Sequence, residues 1–254
     1  MVIQLPGIGL GVLHPKKGVG KYDVQRYSVC ESLASMVDFF WTVSWDISEP
    51  FEQEVVPGPN LNLVCEAEQV ELVGVVSGVF TRRLEGAGRV LSAKFTPAGA
   101  RAFYGGEMSR FTDKRTPQPG AIAAQLQRCS SVRDKFELFE QHLLDQSPVL
   151  SSEGIQVNSW IRKIETNKNI RKISDITEEV ESRTLQRLFQ RHVGISPKWT
   201  ILRYRLQECC AAILHHPIAE VAATYGFSDQ SHFTTTFRKL IGMAPAAYIR
   251  TNRP

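Results

Sequence analysis

The chain has 254 residues, of which 43% are hydrophobic and 22% charged, with a formal net charge of +4. That composition is typical of a folded globular protein and excludes a disordered or fibrous chain. No run approaches the ~20 apolar residues of a membrane span, and Met1–Gly7 lacks the basic start and apolar run of a secretion signal. We therefore expect a cytoplasmic protein of bacterial type with no membrane partner.

The charges are distributed unevenly along the chain. Residues 1–154 carry 15 Lys+Arg against 18 Asp+Glu, whereas residues 155–254 carry 15 against 8, which gives the second part a net charge of +7. A basic half beside an acidic half favours a polyanionic partner for the basic half alone.

The first ~115 residues read mainly as β-strands, because β-branched and aromatic runs alternate with turn residues. Glu85–Gly88 is predicted to be a turn that separates two of these strands. Short strands at this spacing predict an antiparallel sandwich or barrel, the cupin-like barrel included. The predicted strand segments are Val37–Asp46, Leu61–Cys65, Val70–Val76, Val79–Arg83 and Val90–Phe95.

A helical period begins near residue 120, where Phe136, Phe139 and Leu143 form one apolar stripe. Ser147–Gly154 is the best linker candidate, and the charge changes sign there. We predict an α+β protein of two domains: residues 1–116 are a β-rich sensing or dimerisation domain, 117–154 a helical connector and linker, and 155–254 an all-α domain. The apolar stripe either pairs two chains, which we favour, or packs onto the sheet.

A short pattern occurs twice in the last hundred residues, 48 positions apart. An apolar i, i+4 pair, basic residues, a glycine and a proline recur in the same order, which indicates one supersecondary unit built twice. The first copy contains Leu185, Phe189, Val193, Gly194 and Pro197, and the second contains Phe233, Phe237, Ile241, Gly242 and Pro245.

The second copy predicts a complete helix-turn-helix. Pro217 opens a helix, Gly226 ends it, and Ser228 or Asp229 caps the next helix. The polar face of that second helix would enter the major groove of DNA with its N-terminal residues first. The residues on this face are Gln230, Ser231, Thr234, Thr235, Arg238 and Lys239.

The first copy predicts a second DNA-reading helix from about Ser182 to His192. Its outward side chains, Arg183, Gln186, Arg187 and Gln190, suit guanine and adenine edges or phosphates. Ser196 and Pro197 begin a connecting helix that reaches roughly to Leu214. Those ~19 residues would span about 28 Å, close to the ~34 Å between successive major grooves.

These residues resemble the signature of AraC/XylS-type transcription regulators. The resemblance is carried by Ile218–Phe233, Phe237–Lys239 and Gly242–Pro245, and upstream by Ser182–Phe189 and Gly194–Pro197. It implies two helix-turn-helix units joined by a long helix. It further implies base contacts from Arg183, Gln186, Arg187, Gln230, Ser231 and Thr235, with His232, Arg238 and Lys239 nearer phosphate.

The first unit departs from this signature. Where a glycine turn and a Ser-type cap are usual, the chain has Glu178-Glu179-Val180-Glu181. Carboxylates beside a groove-reading helix would repel phosphate, and no residue there favours a left-handed turn. The first unit is therefore expected to be distorted or to contribute less to sequence reading.

The N-terminal half resembles an uncharacterised β-rich domain found in some AraC/XylS relatives, through Trp41, Val55–Gly58, Asn62–Val64, Val73–Gly74 and Lys94–Ala100. Aromatic side chains such as Trp41, Trp45 or Phe95 either line a small-molecule pocket or form core. The effector-binding residues therefore stay unassigned.

Enzyme motifs are missing. There is no Gly-x-Ser-x-Gly, Walker or dinucleotide motif, and none of the six histidines lies in residues 30–115, which excludes a metal-binding cupin. The five scattered cysteines form no Cys-x-x-Cys, and Cys30 and Cys65 alone cannot build the zinc-bound cluster of alkyl-repair relatives. No metal and no cofactor are expected.

The sequence thus predicts a sequence-specific transcription regulator of double-stranded DNA that is not an enzyme. The N-terminal domain would control it through a small-molecule effector or through homodimerisation. The alternative is a DNA-binding protein whose N-terminal domain is a protein-interaction module with no small ligand.

Overall fold

The computed structural model describes residues 11–67, 69–118, 122–129 and 131–253. The expectation for Met1–Gly7 lies outside these ranges. Within them, no helix is long and apolar enough to cross a membrane.

The N-terminal part is built on one antiparallel sheet, which confirms the predicted β-rich domain. Its strand order is β1-β2-β5-β3-β4-β6, so that β1 and β6 lie at the edges. The strands are β1 Asp23–Tyr27, β2 Val37–Val55, β3 Asn62–Glu66, β4 Gln69–Val73, β5 Phe80–Phe95 and β6 Arg115–Pro117.

Strand β5 is continuous through Glu85–Gly88, so the predicted break is wrong. Gly88 lies opposite Trp45 of β2, and a Cβ on Gly88 would be 2.2 Å from the indole Cζ2. The glycine is therefore needed for the approach of the ring. The strand bends at this point and does not end. Val90 lies opposite Glu66 in the ladder, and Arg82, eight residues earlier in β5, also forms an ion pair with the Glu66 carboxylate. Eight residues of straight strand would span about 26 Å, beyond the reach of both side chains.

From residue 152 onward, the described chain is helical, as predicted. Among the described residues, three α-helices lie before residue 152 and six lie from residue 152 onward. They are α1 Ala100–Tyr104, α2 Ile122–Arg128, α3 Val132–Leu144, α4 Ser152–Thr166, α5 Ser182–His192, α6 Pro197–Ala212, α7 Ile218–Thr224, α8 Gln230–Ile241 and α9 Pro245–Asn252.

The apolar stripe of α3 packs onto the sheet, so the prediction that it pairs two chains is wrong. Phe139 and Leu143 are fully buried and Phe136 nearly so. The Phe136 ring stacks on Phe40 of β2 at 5.3 Å between centroids and an interplanar angle of 17°. An amphipathic helix buries its stripe against the nearest apolar surface, and here that surface is the sheet.

Two apolar cores connect the sheet to the helices. The first core runs from the sheet through α3, α4 and α5 to Ile201 of α6. The second core contains the later half of α6 and helices α7 to α9, together with Leu13 and Val56 from the N-terminal part. The proposed boundary at 116 lies within β6 and that at 154 within α4, and the packing crosses both.

Candidate nucleic-acid interface

The second helix-turn-helix consists of α7, a glycine turn and α8. Gly226 has φ +72°, a left-handed conformation, and a Cβ there would be 2.1 Å from Nη1 of Arg171. The side chain of Asp229 then caps α8 by accepting a hydrogen bond from the backbone N–H of His232 at 2.7 Å. This hydrogen bond and one from the Ser228 hydroxyl lower the pKa of Asp229.

Helix α8 separates an apolar face from a polar face. Phe233, Phe237, Leu240 and Ile241 are buried in the second core. The opposite face contains the predicted DNA-reading residues: Gln230, Ser231, Thr235, Arg238 and Lys239 are exposed, and Thr234 is half-buried.

Helix α5 presents the same arrangement. Leu185, Leu188 and Phe189 are buried in the first core. On the other side the four predicted reading residues, Arg183, Gln186, Arg187 and Gln190, are all exposed. Within the described residues none of these four forms an ion pair or a side-chain hydrogen bond, so the two guanidinium groups are available for an anionic partner.

The turn before α5 differs from the turn before α8. A three-residue 3₁₀ turn, Ile173–Asp175, stands where α7 stands in the second unit. Glu181 occupies the cap position of α5 but makes no side-chain capping hydrogen bond. The side chains of Glu178, Glu179 and Glu181 are all exposed at the end of α5 that would enter a groove.

The glycine and proline of each repeat have the predicted roles. Gly194 and Gly242 adopt left-handed conformations, with φ of +90° and +83°. Ser196 caps α6 by accepting a hydrogen bond from the backbone N–H of Trp199 at 3.1 Å. Helix α6 has 16 residues and is therefore about 24 Å long, somewhat shorter than the sequence predicted.

Direct contacts also join the two units beside α6. Nη2 of Arg171, in the loop after α4, donates a hydrogen bond to the carbonyl of Thr224 at 2.8 Å. Nζ of Lys168 lies 2.5 Å from a carboxylate oxygen of Glu208. Sequence reasoning missed these contacts because the partners lie 40 or more residues apart and belong to no local motif.

A buried histidine anchors the C-terminal end of α5. His192 is 1% exposed, and its Nε2 lies 3.2 Å from a carboxylate oxygen of Glu153 on α4. Burial lowers the pKa of His192, and the hydrogen bond from His192 lowers the pKa of Glu153. The pair fixes α5 against α4 and leaves the outward face of α5 free.

The helix-turn-helix of α7 and α8, the earlier helix α5 and the connecting helix α6 form the arrangement that the AraC/XylS resemblance implied. The family described as "Helix-turn-helix domain" matches residues 177–251, and "Domain of unknown function (DUF6597)" matches residues 25–117. The predicted AraC/XylS-type helix-turn-helix domain and the preceding domain of unknown function are therefore confirmed for residues 177–251 and 25–117.

Similar proteins are named as regulators. The chain is 29% identical over 109 residues to the probable transcriptional regulator LumQ of Photobacterium leiognathi, which covers 42% of this chain and 44% of LumQ. It is 42% identical over 64 residues to the HTH-type transcriptional regulator YbfP of Bacillus subtilis, covering 24% and 22% of the two chains. With RhaS of Salmonella arizonae it shares 35% over 65 residues, 25% and 23% of the chains.

The matches thus span less than half the length of these relatives. These relatives are named as regulators, which is the class that the sequence predicts. Among solved structures, ToxT of Vibrio cholerae aligns with 91% of this chain and 97% of its own, at 11% identity and a TM-score of 0.36.

Proposed function

We propose that the protein is a sequence-specific DNA-binding transcription regulator that acts in the bacterial cytoplasm. One observation carries this proposal: α5 and α8, at opposite ends of α6, each present an exposed polar face free for a partner. The net charge of +7 over residues 155–254 suits a polyanion.

The side chains on these faces divide by chemistry. Gln230 suits an adenine edge and Arg187 a guanine edge, because each can make two hydrogen bonds to one base. Arg238 and Lys239 lie at the last turn of α8 and suit phosphate. With Arg187 and Gln230, the other proposed DNA-contacting residues complete the two faces: Arg183, Gln186, Gln190, Ser231, Thr234 and Thr235.

Binding to DNA should weaken steeply with salt. About six phosphate contacts would lower the affinity on the order of 10³-fold between 50 and 200 mM salt, because each contact releases counterions. Fluorescence anisotropy of the full chain with promoter fragments measures this dependence. The double variant Arg238→Ala, Lys239→Ala should reduce the slope of log affinity against log salt by about two. Salt-independent binding, or none at micromolar concentration, contradicts the proposal.

We further propose that a small effector binds the face of the sheet opposite α3. Trp41, Ser92 and Val64 lie side by side on this face in the strand register. Among the described residues, the buried Ser92 hydroxyl and Nε of Arg82 lack hydrogen-bond partners. The half-buried Trp41 ring offers a flat apolar surface on this face, on which an aromatic ligand could stack. Phe95, the third aromatic predicted for a pocket, lies instead in the first core.

A matched variant tests the effector. Aromatic carboxylates at a hundredfold excess over their dissociation constants should stabilise the full chain by about 2.7 kcal/mol in thermal unfolding. Trp41→Ala should abolish that shift, measured against the unfolding temperature of the same variant without ligand, since it removes the stacking surface. No shift with any compound, together with a co-purifying protein, would instead favour the protein-interaction module.

A further inference from the structure

A buried arginine on the helix between the two units contacts the N-terminal part. Arg203 lies mid-way along α6 and is only 3% exposed. Its Nε donates a hydrogen bond to the carbonyl of Pro57 and its Nη2 to the carbonyl of Val56, both at 3.0 Å. The remaining Nη1 donates to Gln207 on the same helix.

The N-terminal segments are shaped around this guanidinium. The backbone N–H of Val56 donates a hydrogen bond to the carbonyl of Gly11 at 2.8 Å, which holds the two segments together. A Cβ on Gly11 would lie 2.3 Å from the Val56 carbonyl oxygen and 3.0 Å from Nη2 of Arg203. Only glycine leaves the approach to the arginine open.

Stability alone does not account for a charge in this place. Burial lowers the pKa of Arg203, and within the described residues no carboxylate forms an ion pair with it. The neutral carbonyls and the Tyr204 ring, whose centroid lies 4.9 Å from the guanidinium, offset only part of the cost of removing this charge from water. A buried charged group with hydrogen-bond partners can instead fix one position of α6 relative to the segment that it contacts.

Arg203 also lies between the two apolar cores. On α6, Ile201 is the last fully packed residue of the first core and Leu206 is the first of the second core. Toward the first unit, Nε1 of Trp199 donates a hydrogen bond to the carbonyl of Ser77 at 2.8 Å. The N-terminal part therefore holds α6 at the point where the two DNA-reading units diverge.

We propose that Arg203 is a positioning residue: its hydrogen bonds to Val56 and Pro57 set α6 against the N-terminal part, and thereby the separation of α5 and α8. This inference rests on the proposed reading of DNA by these helices. It makes residues 56–57 the place where a change in the N-terminal domain alters the spacing that the protein reads.

Spin-label distances test the contact without DNA. Labels at Gln190→Cys and Lys239→Cys, in a full chain with Cys30→Ser and Cys129→Ser, report the separation of α5 and α8 by pulsed electron resonance. Arg203→Met leaves the two carbonyls without this donor and should lower the stability somewhat. We expect it to broaden a narrow distance distribution in a chain that circular dichroism shows to be folded. Lys198→Met removes an exposed charge from the same helix and should change nothing. An unbroadened distribution for Arg203→Met overturns the proposal, and Arg203→Gln serves the same test if Arg203→Met fails to fold.

Site selection from DNA with two half-sites at variable spacing supplies the functional readout. A Glu181→Ser chain, whose α5 gains a capping residue, should prefer one spacing. Arg203→Met in that chain should reduce the preference on the order of tenfold, the value of one charge-assisted hydrogen bond. An unchanged preference overturns the positioning role while DNA binding stands. If no variant binds DNA, the proposed function fails, and the spin-label distances still decide whether Arg203 positions the helices.

Discussion

Phe139→Glu should unfold the N-terminal part of the chain and should not act by separating two copies. Phe139 is fully buried in the first core, with its ring centroid 6.4 Å from that of Phe40. A carboxylate there would have no partner and no water, which costs at least several kcal/mol. Domains are stable by only about 5–15 kcal/mol, so the loss is a large part of the total. Thermal unfolding followed by circular dichroism measures it.

Gln141→Glu provides the matched control, since it adds the same charge to an exposed position of α3. Its free energy of unfolding should change by no more than about 0.5 kcal/mol, as for ordinary surface substitutions. A folded Phe139→Glu chain that changes only from dimer to monomer by light scattering would contradict the observed packing and restore pairing through this stripe.

The sequence predicts best where the structural signal is local. Helix α5 has the predicted bounds Ser182–His192, because apolar period, glycine stop and proline restart all lie within fifteen residues. The cap at Asp229 and the left-handed Gly226 follow from the same short-range chemistry. The architecture of two units on one helix therefore follows from the amino-acid sequence alone.

Features that depend on distant partners could not be derived. The apolar stripe of α3 shows that one face is buried but not what covers it, so the sequence could not decide between the sheet and a second copy. Gly86 and Gly88 resemble a turn until the ring of Trp45 is placed on the facing strand. In the sequence, Arg203 resembles a solvent-exposed residue of a helix, because the carbonyls that it contacts lie nearly 150 positions earlier in the chain.

The two DNA-reading helices should contribute unequally to base recognition. Gln230→Ala should relax the preference at one base pair and cost about 1–3 kcal/mol, because a bidentate contact is lost. Arg187→Ala should lower the affinity without changing any base preference. The difference follows from the two turns. The side chain of Asp229 caps α8, whereas the side chain of Glu181, at the cap position of α5, makes no capping hydrogen bond. Two more exposed carboxylates, Glu178 and Glu179, lie in the same turn. Repulsion from phosphate keeps α5 from close approach to base edges.

Selection of binding sites from random DNA with each full-length variant separates these effects. Glu181→Ser supplies the missing cap and removes one carboxylate, so it should add base preference about one helical turn from the position read by Gln230. In that background Arg187→Ala should then erase the added preference. Loss of base preference on Arg187→Ala in the otherwise unaltered chain would show instead that α5 already reads bases despite its acidic turn. We therefore expect the acidic turn, and not the composition of the α5 face, to limit the first unit.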